Sequence, residues 1–172
     1  MAGFAYNTNL TAVVDALKDY NTTTSTPDLS DGLGTGRRVL DENIKIGDPD
    51  VTMIRSDRIP AIFVRIDSAE EDFSAIGATG PSKNSKFKTV TYSIFAVFGR
   101  AGGSERHSDA MTGVAKLAQN IEAVFQAEFQ LSSTAMWCQP RRTVLSNVPL
   151  DPNGATWIKV AAIDLEAKYF FR

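Results

Sequence analysis

Hydrophobic positions along the chain follow two periods, and the switches between them predict the elements. Leu10, Val13, Val14 and Leu17 recur at i, i+3, i+4 and i+7, with Asp15, Lys18 and Asp19 opposite, which predicts an amphipathic helix. Thr8 or Asn9 can cap its start. It should stop near Tyr20, because the Asn, Thr and Ser that follow compete for backbone hydrogen bonds and Pro27 cannot continue a helix. Residues 21–36 read as a long polar loop ending in Gly32-Leu33-Gly34-Thr35-Gly36. Arg37–Leu40 and Asn43–Ile46 are short and mixed, and read as a weak strand or extended segment.

Period two begins at Pro60. Ile62, Val64 and Ile66 alternate with Phe63, Arg65 and Asp67, as a strand requires. After a polar stretch, a long strand runs from about Lys86 to Phe98. Val90, Tyr92, Ile94, Ala96 and Phe98 take one face, and Thr89, Thr91, Ser93, Phe95 and Val97 the other. The two strands are expected to pair as an antiparallel hairpin with an extended arm, residues 68–86. A long helix follows the break at Gly99–Gly103, with Ser104 or Ser108 as cap. Its stripe of Met111, Val114, Leu117, Ala118, Ile121, Val124 and Phe125 should lie on the sheet. Two strands close the chain, about Met136–Leu145 and Thr156–Arg172. Pro140 suggests an edge position or a bulge in the first. In the second the apolar phase changes from Ile158 and Val160 to Ile163, Leu165 and Ala167. A bulge or bend is expected near Ala161–Ile163, the alternative being a strand covered on both faces.

The order is α-β-β-α-β-β, with a weak extra strand before the hairpin. It predicts an α+β fold: a mainly antiparallel sheet with two helices packed on one face and a long-armed hairpin. A chain of 172 residues fits a single domain, 1–172. Hydrophobic residues at 43% supply a core without disulfides or metal staples. The formal net charge of −2 argues against a protein that coats nucleic acid. No apolar run approaches the roughly 20 residues of a membrane helix. The first ten residues lack the basic and apolar regions of a signal peptide.

Candidate chemistry is sparse. The single cysteine, Cys138, excludes an internal disulfide framework, and the single histidine, His107, removes most triad and metallo-hydrolase arrangements. Gly32–Gly36 lacks the third glycine of a dinucleotide fingerprint. The glycines of Gly99–Ser104 are not followed by the Lys-Ser/Thr pair of a Walker loop, so no nucleotide and no cofactor is expected. An anion at the start of the long helix is the one ligand reading these glycines support, and it leaves a small anion- or ligand-binding module as the alternative function. His107 with Glu105 and Asp109 matches no known metal spacing, and no metal is expected. Cys138, far from His107 in sequence, reads as a buried small apolar side chain.

Two other patterns suggest contact with another chain. Arg37-Arg38 and Arg141-Arg142 are too few for a nucleic-acid groove, but suit salt bridges to a neighbouring subunit. Asp67, Glu70, Glu71 and Asp72 can form an acidic rim. Phe63, Phe87 and Phe95 lie off the main apolar stripes, as in a second buried surface. The candidate subunit or tube interface is therefore Arg37, Arg38, Phe63, Glu70, Glu71, Phe87, Arg141 and Arg142, with no catalytic residues.

The opening helix Leu10–Leu17, the hairpin Ala61–Ile66 with Phe87–Phe98, the helix Met111–Phe129 and the closing run Trp157–Phe171 together resemble the tail terminator, or tail completion, proteins of tailed bacteriophages. Related head–tail connector and neck proteins share that texture. The resemblance implies a virion structural protein and no enzyme. It implies a homo-oligomeric ring, usually a hexamer, at the head-proximal end of the tail. Its partners would be the tail tube protein and a head-completion or connector protein. DNA would pass through the lumen unread, and no membrane is involved. Such a ring would be assembled in the host cytoplasm and located in the virion tail or neck. A slightly acidic chain suits a channel wall that does not grip a moving polyanion. In that setting the arm 68–86 and the loop 21–36 are expected to contact other subunits or the tube.

Overall fold

A computed structural model of the chain describes residues 4–22, 24–34, 37–49, 59–72, 86–101, 105–146 and 156–171. Its elements are α1 (Tyr6–Asp19), a 3-10 turn (Asp41–Asn43), β1 (Ile44–Ile46), β2 (Ala61–Asp72), β3 (Lys86–Ala101), α2 (Glu105–Ala127), β4 (Trp137–Ser146) and β5 (Thr156–Phe171). They form an α+β fold with one five-stranded sheet of order β1-β2-β3-β5-β4. β1 runs parallel to β2, and every other pair is antiparallel.

Both helices cover the same face. Val13, Val14 and Leu17 of α1 join Val114, Leu117, Ile121, Val124 and Phe125 of α2 in one core. Beneath them lie Ile62 and Val64 of β2, alternate residues Val90–Phe98 of β3, and Ile163, Leu165, Ala167 and Tyr169 of β5. The period-two and period-3.6 stripes read from the sequence therefore meet. On the opposite face a smaller cluster unites Ala61, Val97, Ile158 and Val160, flanked by Phe63 and Phe95.

That second cluster corrects the bulge expected near Ala161–Ile163. β5 pairs with β3 without a shift from Thr156 to Phe171. The apolar phase changes because Ile158 and Val160 are buried on one face and Ile163 and Leu165 on the other. The irregularities lie elsewhere. One is in β4 between Pro140 and Arg142, where a proline on an edge strand cannot donate to the ladder. The other is in β2 at Asp67, past which the strand continues to Asp72.

Other boundaries also move. α1 begins at Tyr6 and not at Thr8 or Asn9, and Ala5 offers no side-chain cap. Tertiary contacts hold that first turn instead. Lys88 Nζ donates to Tyr6 Oη at 2.7 Å, and the Phe4 ring meets Tyr6 and Tyr169 edge-on. Ser108 lies inside α2, while Ser104 lies outside the described residues. Of the weak segment only Ile44–Ile46 is a strand; Arg37–Leu40 is irregular.

The sequence reading of 21–36 as a polar loop misses what its described part does. Leu29, Leu33 and, just beyond, Val39 enter the core. Asn21 Nδ2 donates to Val39 O, Ser30 Oγ donates to Asn21 Oδ1, and Val39 N donates to Ser30 Oγ. From α2, Asn120 Nδ2 donates to Leu29 O at 3.0 Å and Asp31 O at 2.8 Å. Buried amides thus satisfy a loop backbone that no ladder reaches. Most of the arm, residues 73–85, lies outside the described residues.

Candidate subunit-contact surface

The sheet face opposite the helices, which bears no helix among the described residues and is termed the open face, carries most of the candidate residues. Side-chain alternation fixes which ones. Phe63 of β2 stands opposite Phe95 of β3. Farther along the sheet, Glu70, Thr89, Lys168 and Trp137 form one cross-strand row over β2, β3, β5 and β4. The next row pairs Phe87 with Phe170, ring centroids 5.6 Å apart, and Lys168 Nζ lies 5.0 Å from the Phe87 centroid. Arg141, next to Pro140 where the β4 register shifts, donates to Glu166 Oε1 at 2.9 Å and lies 5.4 Å over the Trp137 ring. Arg142 stands opposite Asp164.

Five sequence candidates, Phe63, Glu70, Phe87, Arg141 and Arg142, therefore share one face. Three do not join them. Arg37 donates to Gly99 O at 2.6 Å and lies 5.3 Å from the Phe98 centroid. Arg38 pairs with Asp28 at 3.3 Å. Both act within the chain, tying the 37–39 segment to β3 and to the loop before it. Glu71 lies across the sheet from Glu70 and pairs with Lys88 at 3.2 Å, beside the first turn of α1. Sequence reasoning missed Trp137, Lys168 and Phe170. Their place depends on the β3–β5–β4 register, which no local pattern states, although the aromatic ending Tyr169-Phe170-Phe171 was a signal.

The surface is aromatic and charged in the manner of a contact patch, with cations lying over rings. None of it assembles a nucleophile with a base. The alternative chemistry of Cys138 is closed by burial: the thiol is 2% exposed, donates to Glu128 O, and is pushed up to about 12 by desolvation. Among the described residues no group of three or more His, Cys, Asp or Glu could hold a metal ion. The side chain of His107 lies outside the described residues, as does the loop at 102–104. Among the described residues no helix is long and apolar enough to cross a membrane.

A shallow hollow between α1 and the turn after α2 is lined by Asn7, Thr8, Thr11, Asp15, Asp19 and Ser132. Hydroxyls and carboxylates line it, with no histidine, lysine or arginine among the described lining residues.

No family model matches the chain, and no curated protein matches it. Among solved structures it is similar to a chain of the virion of a native gene transfer agent particle, at 11% identity and a TM-score of 0.42, over 97% of this chain and 100% of that one.

Proposed function

We propose that this chain is a structural virion protein of the tail terminator type, a non-enzymatic ring that caps the tail tube and joins it to the head or neck. The observation that carries the reading is the open sheet face. One face holds both helices, and the other presents Phe87, Phe170, Trp137 and Lys168 with carboxylates and Arg141 around them. A contact surface without a reaction centre suits a protein that works by shape. The element order, with its long hairpin β2–β3 between two helices, is the second support.

In this reading the ring is homo-oligomeric, with a hexamer expected. Its two flat ends meet the tail tube protein and a head-completion or connector protein, and DNA crosses the lumen without base readout. The test is electron microscopy of the purified protein with sedimentation in parallel. Closed rings with a central channel are expected, and added tube protein should yield tubes capped at one end. A monomer at all concentrations that leaves tubes uncapped would refute the reading.

A further inference from the structure

The sheet ends in two unlike edges, β1 and β4, and among the described residues neither has a strand on its outer side. β4 is ten residues long, and the residues from Arg141 to Leu145 are exposed. Its first part is closed, because the carbonyl of Phe129 accepts the N–H of Cys138, and Pro140 has no N–H to offer. What remains open is the short stretch from Arg142 to Ser146. β1 is three residues long and fits within that stretch. An open edge is a template for another strand.

Direction, facing and charge agree on which strand. β1 is parallel to β2, β2 antiparallel to β3, β3 to β5 and β5 to β4, so β4 runs opposite to β1. A second copy placed beside the first without inversion would bring its β1 antiparallel to β4. With Lys45 opposite Val144, both lie on the open face, while Ile44 and Ile46 meet Leu145 and Thr143 on the helix face. Ile46 and Leu145 are 55% and 40% exposed in the single chain. The same register sets Arg141 and Arg142 against Gly47 and Asp48. Around the β1 edge Asp41, Glu42 and Asp48 outnumber Lys45, with Asp48 also paired to Arg65 of β2, whereas β4 has two arginines and no acid. Two β4 strands would oppose arginine to arginine, which disfavours a symmetric pair.

We infer that the β4 edge, Arg142–Ser146, adds to the β1 edge, Ile44–Ile46, of a second copy of this chain, so that the sheet continues from subunit to subunit. The contact is heterologous and propagates until it closes. This inference rests on the ring reading and specifies its interface.

Disulfide trapping tests it. Lys45 and Val144 lie four strand spacings apart in one chain, about 19 Å, too far for an internal bridge. Directly opposed strand residues sit about 4.5–5.5 Å apart, within disulfide range. The Lys45→Cys/Val144→Cys double variant, mildly oxidised, is expected to give a ladder of covalent multimers on a non-reducing gel, while each single variant stays monomeric there. A covalent dimer from Val144→Cys alone would mean that β4 meets β4 and would overturn the inference. A double variant that sediments as a ring but gives no ladder would overturn the edge contact and leave the ring reading standing. A parent protein that sediments as a monomer throughout would overturn both.

Discussion

Tyr92 and Tyr169 bring their hydroxyls within 2.7 Å of each other in the buried core, on neighbouring strands. A buried hydroxyl needs a partner, and here each serves the other. Tyr92→Phe leaves the Tyr169 hydroxyl without this bond and should cost about 1–3 kcal/mol. Tyr92→Phe/Tyr169→Phe should cost less than the two single changes added, because it removes the orphan as well. Urea denaturation of the four proteins measures the coupling. The same burial sets an alkaline limit. Desolvation pushes Tyr92 from 10.0 up to about 12, raises Tyr169 further, and moves Cys138 from 9.0 up to about 12. In the unfolded chain these groups ionise at their ordinary values, so above pH 9 the folded state binds more protons than the unfolded one. Stability is then complete below about pH 9 and falls as pH rises toward 12. A denaturation midpoint that stays constant from pH 8.5 to 11 would contradict this account.

At the scale of elements, α2 depends on close contact as much as on its apolar stripe. A methyl placed on Gly113 would overlap the Phe98 ring of β3. In an open helix Gly→Ala is worth about 1 kcal/mol of added stability; here Gly113→Ala should destabilise, and adding Phe98→Leu should recover part of the loss. Ile121, with no exposed surface, should cost about 2–5 kcal/mol as Ile121→Ala. Asn120→Ala should leave the carbonyls of Leu29 and Asp31 unbonded, at about 1–3 kcal/mol, with faster hydrogen exchange in 29–34. An exchange pattern like the parent's would mean the loop does not need that amide. These elements also mark how far the sequence could be read. The helices, the hairpin and the closing strands were legible because each repeats its period several times. β1 was faint because three residues hold one and a half periods. The role of Leu29, Leu33 and Val39 was hidden because isolated apolar residues in a polar loop have no period at all. The bulge expected in β5 failed because a two-sided strand and a shifted one share the same pattern. For the candidate surface, Phe63 and Phe87 stood out as residues out of phase with the core, while Glu70, Arg141 and Arg142 stood out as charge clusters, a signal that Arg37 and Arg38 share although they bond within the chain.

At the scale of the whole molecule, the two faces of the sheet are unequal, with the larger buried cluster under the helices and the smaller one opposite. The large core lies wholly on the helix side, and Phe87 is absent from both it and the smaller cluster opposite. Phe87 instead packs on Phe170, itself 45% exposed, at the end of the described β2–β3 pairing and on the face away from the helices. Another surface laid over these rings, which are rimmed by Glu70 and Lys168, would take from water the part of them that the single chain leaves exposed. Phe87→Ser should therefore change the unfolding free energy of the subunit by no more than about 1 kcal/mol, in the ordinary range for a substitution outside the core. Its effect on assembly should be much larger, because a ring repeats the same contact at every interface. Sedimentation of the variant is expected to give a folded monomer under conditions where the parent forms rings, and circular dichroism should match the parent. If Phe87→Ser assembles at the parent's concentration, the arm end is not part of the interface, and the contact must lie toward Phe63 or along the sheet edges.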